Sequence, residues 1–200
     1  MNTIITIARQ FGSGGRELGR RIAEALNIDY YDKEILKEIA KHTSLSEEYV
    51  HQITEGRRNT LYPITIGQTF MYANDYYIHQ VQTVYEAQSD IITKLAQKSS
   101  CVIVGRCADY ILRDLKPHRI FVYADLDARI KRCVARNKGA EALSEKDIKK
   151  HILHIDKERA KFYGDFTGET WGAFYNYDLC INTTNIVIKK VAPVIAKLYE

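Results

Sequence analysis

Three glycines and the residues around them carry the clearest chemical signal in the chain. Gly12, Gly14 and Gly15 follow the β-branched run Ile4–Ile7 and come before a stretch whose apolar residues have helical spacing. Glycines let backbone N–H groups converge on one point, because no Cβ atom stands in the way. The N–H groups of a first helical turn, together with the helix dipole, hold an anion. This order of strand, glycine turn and helix predicts a phosphate-binding loop that includes Ser13.

The loop departs from the common phosphate-binding motif G-x-x-x-x-G-K-[ST], and two alignments are open. In one, Arg9 takes the first glycine position, Gly14 the second and Gly15 the position of the lysine. In the other, Gly15 is the second glycine, Arg16 replaces the lysine and Glu17 replaces the serine or threonine. Both alignments lack the hydroxyl that usually binds Mg²⁺. An arginine must then supply the positive charge, and the candidates are Arg9, Arg16, Arg20 and Arg21.

Two other interpretations of the same segment are open. The first is a glycine-rich turn followed by a basic helix that only faces solvent. The second is the dinucleotide-binding loop of an oxidoreductase, in which Gly12 and Gly14 start the fingerprint and Asp32 binds a ribose. Glu17 stands at the third glycine position of that fingerprint, which weighs against the second interpretation.

Composition and charge limit the classes of function. The 200 residues favour a single domain, and a hydrophobic fraction of 46% is enough for its core. The net charge of +4 is too small to indicate nucleic-acid binding, although clustered arginines suit a small anionic ligand. No apolar run approaches the roughly 20 residues of a membrane span, and no secretory signal is evident. The four cysteines form no C-x-x-C pair, so we expect a reduced, cytoplasmic protein.

Apolar runs alternate with helical patterns, which predicts an α/β fold with a five-stranded parallel sheet and helices on both faces. The strands are expected at residues 3–8, 28–31, 101–104, 119–124 and 178–182. The helices are expected at residues 15–26, 33–42, 46–55, 75–98, 126–137, 144–162 and 186–199. Ser44, with Glu47, is predicted to cap the third helix, and Ser144 to start the sixth. Ligands of such sheets bind beyond the carboxyl ends of the strands.

Two segments are longer than a single connecting helix requires. Residues 33–98 separate the second and third strands, and residues 138–177 separate the fourth and fifth. We therefore expect one domain with a core of residues 1–32, 99–137 and 178–200 and two insertions. Insertions on the ligand side of the sheet suggest lobes that close over two bound molecules, as phosphoryl transfer requires for the exclusion of water.

Six segments of the chain, the glycine loop among them, match the sequence pattern of one protein family. They are Ala8–Gly19, Tyr30–Ile35, Ile103–Leu112, Asp156–Ala160, Thr167–Gly172 and Asn176–Leu179. With them the chain resembles the nucleoside monophosphate kinases, specifically the cytidylate-kinase-like family. The resemblance implies an adenylate-kinase-like P-loop fold, ATP as phosphoryl donor and Mg²⁺ as its helper ion. It also implies a small nucleotide partner as acceptor, with an acceptor-side insertion at 33–98 and a lid-like insertion at 138–177.

The resemblance places the acceptor site after the second and third strands. Arg106 follows Gly105 and would bind the acceptor phosphate. Asp32 would accept a hydrogen bond from an amine or a ribose hydroxyl, and Asp109 is a further candidate. The alternatives are an ion pair between Arg106 and Asp109, and a helix N-cap at Asp32. Cys107 stands where cytidylate kinases tend to have an aspartate.

Four arginines are candidates for stabilising the transferring phosphoryl group: Arg16, Arg132, Arg136 and Arg159. Arg132 and Arg136 are four residues apart on one predicted helix and therefore share a face. Arg159 matches, by the resemblance, a lid arginine of these kinases. For any one of them, a solvent-facing position on a helix is the alternative. No protein metal site is expected, and His151 is expected at the surface.

The expected function is ATP-dependent phosphoryl transfer to a nucleoside monophosphate, with CMP or dCMP as the named candidates. A kinase of another small molecule would share the donor site but have a different acceptor pocket. A nucleotide-binding regulatory module without catalysis is the second alternative, because the loop is altered.

Overall fold

The computed structural model describes residues 2–54, 69–136 and 144–199, and only the backbone of residues 69–76. Within these ranges one parallel sheet contains β1 (Ile4–Arg9), β2 (Asp29–Tyr31), β3 (Cys101–Val104), β4 (His118–Tyr123) and β5 (Leu179–Asn182). Their spatial order is β2-β3-β1-β4-β5. Ile7 of β1 is in register with Val104 of β3 and with Ile120 of β4. The carboxyl ends of the central strands therefore meet at one edge of the sheet.

The strand order rules out the dinucleotide-binding interpretation. In that fold β2 lies beside β1, whereas here β3 lies between them. The oxidoreductase alternative, with Asp32 as a ribose ligand, is therefore wrong.

Helices cover both faces of the sheet. One face packs against α1 (Gly15–Leu26) and α8 (Ile188–Ala196). The other packs against α2 (Glu34–Thr43), α3 (Glu47–Thr54), α4 (Thr69–Lys98), α5 (Ala108–Ile111) and α7 (Glu145–Thr167). α6 (Leu126–Arg136) packs on α7. Single 3₁₀ turns lie at Arg113–Leu115, Phe174–Asn176 and Lys197–Tyr199.

Alternation along β1 directs its side chains into two cores. Ile5 and Ile7 are fully buried against Leu18 of α1. Ile4 lies on the opposite face together with Ile103 of β3. Complete burial of an isoleucine stabilises a fold by roughly 1.5–3 kcal/mol. Burial on both faces holds β1 firmly in the middle of the sheet. The position of the loop that follows β1 is fixed as a result.

The predicted elements agree closely with the structure in the strands and less closely in the helices. All five strands are confirmed to within one residue at each end. α4 begins at Thr69, earlier than predicted, and α7 continues to Thr167, beyond the predicted end. The short helix α5 was not predicted, and α8 ends at Ala196 before a 3₁₀ turn.

One predicted helix cap is confirmed and one is wrong. The hydroxyl of Ser144 accepts the N–H of Asp147 at 3.2 Å and caps α7. At α3 the accepting hydroxyl belongs to Ser46, which bonds the N–H of Tyr49 at 3.2 Å. Ser44 instead ends α2 in a left-handed conformation with φ 55°.

Candidate active site

The carboxyl end of β1 leads through residues 10–14 into the N-terminus of α1. Gly12 and Gly14 have φ values of 76° and 88°, a region that glycine enters without a steric penalty. The N–H groups of Gly15 and Arg16 open α1 and have no acceptor within the helix. A cleft of about 350 Å³, here called the loop cleft, opens at this segment. The backbone thus has the form that phosphate binding requires.

Neighbouring side chains occupy the space beside the loop glycines. A Cβ atom on Gly14 would lie 2.2 Å from Cδ1 of Ile188 in α8. A Cβ atom on Gly12 would lie 3.0 Å from Sγ of Cys133 in α6. Both positions therefore need glycine for packing as well as for backbone conformation.

Ser13 and Thr183 fix the back of the loop. Oγ of the buried Ser13 donates to the carbonyl of Gln10 at 2.8 Å, and Oγ1 of Thr183 donates to the carbonyl of Ser13 at 2.6 Å. Arg132 donates to the carbonyl of Ser13 at 3.3 Å and to Oγ1 of Thr183 at 3.1 Å. The lining of the loop cleft in the described ranges does not include Arg132. Arg132, predicted to contact the transferring group, supports the back of the loop in this structure.

A carboxylate of α7 holds the front of the loop. Oδ1 of Asp156 accepts the N–H of Phe11 at 2.7 Å. The same carboxylate forms an ion pair with Arg129, which is 5% exposed and donates to the carbonyl of Phe11 at 3.3 Å. Arg159, one turn further along α7, donates to the carbonyl of Arg9 at 3.3 Å. These contacts fasten α7 to the phosphate loop.

Asp32 is buried at the carboxyl edge of the sheet between two arginines of the loop region. Nε of Arg16 lies 2.8 Å from its Oδ2, and Nη2 of Arg9 lies 3.9 Å from its Oδ1. The carbonyl of Asp32 accepts a hydrogen bond from Nε of Arg106 at 3.4 Å. The N-cap position of α2 belongs to Lys33, so the alternative role of Asp32 as a helix cap is not realised. The structure thus brings predicted donor-side and acceptor-side residues together.

Three successive left-handed residues hold Arg106 in place. Gly105, Arg106 and Cys107 have φ values of 76°, 60° and 53°. Such a conformation costs a non-glycine residue about 1–3 kcal/mol and is concentrated at functional sites. Nε2 of Gln88 donates to the carbonyl of Arg106 at 2.9 Å, and Nη1 of Arg106 donates to Oγ1 of Thr54 at 3.2 Å. The surrounding core therefore sustains the strained turn.

Asp109 is tied to α7. The hydroxyl of Tyr163 donates to Oδ2 of Asp109 at 2.8 Å. Burial raises the pKa of Asp109, and the hydrogen bond from Tyr163 partly opposes that increase. Burial also raises the pKa of Tyr163. A carboxyl group with a raised pKa is a frequent feature of sites that handle protons.

A second, smaller cavity lies beside the loop cleft. Its volume is about 30 Å³, and we call it the inner cavity. Its lining includes Thr54, Arg106, Asp109, Tyr163 and Trp171. Of the described residues, Arg9 and Arg159 line both the loop cleft and the inner cavity. These two arginines therefore border both spaces.

Other predicted cations lie further out. The side chain of Arg136 is 65% exposed, and its Nη2 is 3.9 Å from Oε2 of Glu17 at the mouth of the loop cleft. The half-buried His151 lines the cleft, and its ring packs edge-on against Phe11 at 5.2 Å. Two arginines of α1 form i,i+4 ion pairs on its surface: Arg20 with Glu24, and Arg21 with Glu17.

Sequence reasoning missed the roles of four residues that shape the site: His151, Asp156, Tyr163 and Thr183. Only Asp156 had a usable signal, because it precedes Arg159 by three residues and therefore shares its helix face. The others are single residues whose contacts come from distant parts of the chain.

The family model that matches residues 4–185 is described as cytidylate kinase-like. The chain belongs to the cytidylate kinase-like family. The match includes all five strands and the site residues from Arg9 to Thr183. No curated protein matches the sequence.

Solved structures agree with this fold. An uncharacterized protein from Eubacterium ventriosum ATCC 27560 is 28% identical, with a TM-score of 0.72 over 99% of this chain and 98% of that one. A shikimate kinase from Bacteroides thetaiotaomicron is 14% identical, with a TM-score of 0.58 over 98% and 97% of the two chains. A shikimate kinase from Acinetobacter baumannii in complex with shikimate is 14% identical, with a TM-score of 0.54 over 99% and 93%. The similarity to the two shikimate kinase structures shows the fold. Together with membership of the family, it supports a phosphotransfer function.

Two other kinds of feature are absent from the described residues. Among the described helices none has the length and apolar character needed to span a membrane. In the same part of the chain, no group of three or more His, Cys, Asp or Glu side chains is placed to hold a metal ion.

Proposed function

We propose that the chain transfers a phosphoryl group from ATP to a nucleoside monophosphate, with CMP and dCMP as the leading acceptors. The observation that carries the proposal is the position of Arg9 and Arg159 between the loop cleft and the inner cavity. Phosphoryl transfer brings two anionic groups together, so cations must stand between them and follow the moving charge. One guanidinium group can bind two phosphate oxygens at once, and it remains charged at any working pH.

The loop cleft suits the triphosphate of ATP. The first N–H groups of α1 would bind phosphate oxygens, and the loop glycines leave room for a close approach of the backbone. Arg136 at the mouth adds positive charge. Ser13 is fully buried and is not among the described residues that line the loop cleft, so its hydroxyl is not placed to bind Mg²⁺ there. Mg²⁺ would therefore be held mainly by phosphate and water oxygens, an arrangement that this ion favours.

The inner cavity suits the acceptor phosphate. Arg106 would bind it from one side, with Thr54 and Asp32 fixing the guanidinium. A volume of about 30 Å³ does not admit a nucleotide, so part of the wall must move when the acceptor binds. The hydrogen bond from Tyr163 to Asp109 joins α7 to the opposite wall of the cavity, so we expect α7 to be the part that moves. Its closure over both substrates would exclude water from the reaction.

A kinase of a hydroxyl-bearing small molecule is the second candidate. The observation that favours it is Asp109, a buried carboxyl group with a raised pKa in the wall of the inner cavity. Such a group can take up the proton of an attacking hydroxyl. A nucleoside monophosphate does not need this help, because its attacking phosphate oxygen is already ionised.

An acceptor panel separates these functions. The purified protein is incubated with MgATP and, separately, with CMP, dCMP, UMP, AMP, GMP, shikimate and a set of sugars, and ADP release and phosphorylated products are measured. The proposal expects release that depends on one of the nucleoside monophosphates and is lost in Arg159→Ala but kept in Arg113→Ala. Arg113 is an exposed arginine before β4, at the other end of the sheet. Release only with a hydroxyl acceptor would favour the second candidate, and ATP binding without any transfer would favour a regulatory module.

A further inference from the structure

The side chain of Arg9 and the backbone of Gly15 lie against each other in the phosphate loop. A Cβ atom built on Gly15 would stand 2.5 Å from Cβ and 3.0 Å from Cγ of Arg9. The next nearest atom, Cβ of Val122, would be at the ordinary contact distance of 3.4 Å. Gly15 is the first residue of α1, and its φ lies outside the left-handed region. The need for glycine at position 15 therefore comes from the arginine at position 9.

The far end of Arg9 reaches the acceptor side of the site. A Cβ atom built on Gly105 would lie 1.6 Å from Nη1 of Arg9. Nη2 lies 3.9 Å from Oδ1 of Asp32, and only 7% of the side chain is exposed. The guanidinium thus rests on the turn that carries Arg106. Its stem lines the loop cleft, and the same side chain lines the inner cavity.

We propose that Arg9 and Gly15 are an exchanged pair, in which Arg9 supplies the cation that a lysine supplies in the common motif. The proposal rests on the proposed function, because it assumes that the loop binds the phosphates of ATP. β1 ends at Arg9 and Gly14 is the N-cap of α1, with four residues between them. This spacing matches the alignment in which Arg9 stands at the first glycine position and Gly15 at the lysine position. Arginine and glycine have therefore changed places relative to that motif.

The exchange assigns a different task to Arg16. In this alignment Arg16 stands at the serine or threonine position, and its Nε contacts Oδ2 of Asp32 at 2.8 Å. Asp32 therefore lies closer to Arg16 than to Arg9, whose nearest nitrogen is 3.9 Å away. Arg9 also differs from a lysine in having a planar fork that binds two phosphate oxygens at once. The cation then sits between the two phosphate-binding spaces instead of within the loop alone.

The direct test restores the common motif. MgATP binding is measured by calorimetry for the wild type, Arg9→Gly, Gly15→Lys and the double variant Arg9→Gly/Gly15→Lys, with Arg113→Ala as a control. Arg9→Gly should weaken binding on the order of 10- to 100-fold, because a charge-assisted contact is lost. Gly15→Lys should also weaken binding, because the Cβ of the new lysine would clash with the side chain of Arg9. The double variant should bind within about threefold of the wild type, and binding no tighter than in Arg9→Gly would overturn the exchange.

A second measurement tests the contact between positions 9 and 15 without any need for ATP binding. Gly15→Ala is made in the wild type and in Arg9→Gly, and thermal midpoints are compared without nucleotide. The exchange predicts a clear drop in the wild type and little change in Arg9→Gly, where the space beside position 15 is open. An equal drop in both backgrounds would refute the packing on which the proposal depends.

The two proposals fail in different ways. Recovery of ATP binding in the double variant, with no acceptor phosphorylated by the wild type, would refute the proposed function and leave the exchange standing. Turnover by the wild type without recovery in the double variant would refute the exchange alone. A wild type that binds no MgATP would refute both.

Discussion

Replacing Asp156 by alanine should loosen the phosphate loop and destabilise the whole fold. The Asp156 carboxylate accepts the N–H of Phe11 and pairs with Arg129, which also bonds the carbonyl of Phe11. Alanine would leave the Arg129 guanidinium without its counter-charge and the Phe11 N–H without its acceptor. We expect lower stability and weaker binding of ATP.

The size of the effect follows from burial. The side chains of Asp156 and Arg129 are 13% and 6% exposed, so solvent screens their interaction little. Removal of one member of a buried ion pair costs about 3–5 kcal/mol. For a chain of this length, each kcal/mol lowers the thermal midpoint by about 2–4 °C. Asp156→Ala should therefore lose roughly 6–20 °C.

Urea unfolding followed by circular dichroism gives the free energy of unfolding. The matched control is Asp156→Leu/Arg129→Met, which removes both charges together and should regain most of the lost stability. A cost for Asp156→Ala below about 1 kcal/mol would refute this reasoning, since that is the range of an exposed pair. If the stability lost in the double variant equalled the sum of the losses in its two single variants, the reasoning would also be refuted. The free-energy changes of two interacting residues are not additive.

Three further outcomes are expected. Arg106→Ala should raise the acceptor KM about tenfold or more while the Kd of ATP stays constant, because a lost charge-assisted contact has that size; an equal loss of ATP binding would contradict its assignment to the acceptor. Gly14→Ala should cost about 1–3 kcal/mol in chemical unfolding, since φ is 88° and the new Cβ meets Ile188, and Ile188→Ala should relieve part of that loss. Burial raises the pKa of Asp109, so its contribution to stability is complete below the unfolded pKa of about 3.9 and is lost as pH rises through the folded value. Asp109→Asn should therefore have a higher free energy of unfolding than the wild type at pH 7, and this difference should shrink towards pH 4. Urea unfolding at several pH values measures the difference. A difference that does not change with pH would contradict the raised pKa.

The strands and the phosphate loop could be predicted because their signals are local. Ile4–Ile7 is a continuous β-branched run, and the glycines after it leave few backbone alternatives. Asp32 and Arg106 directly follow predicted strands of a parallel sheet, so their meeting at one edge follows from the topology.

The remaining parts of the site depend on contacts between distant residues. Asp156 reads as a solvated charge on a basic helix, and its partner Phe11 is 145 residues away. Arg132 lies on the predicted helix face, but helical spacing cannot tell a phosphate from the carbonyl of Thr183 as its acceptor. The helix α5 has only four residues and follows a left-handed turn, so no periodic pattern marks it. The spacing of the loop left two alignments open, and the close approach of Arg9 to Gly15, which favours one of them, is a property of the fold.

The most direct measurement is a crystal structure with a non-hydrolysable ATP analogue, Mg²⁺ and CMP. The account predicts the triphosphate on the N–H groups at the start of α1, with the terminal phosphate within hydrogen-bond distance of Arg9 and Arg159. A loop that stays empty at saturating nucleotide, or a triphosphate bound away from these two arginines, would contradict it.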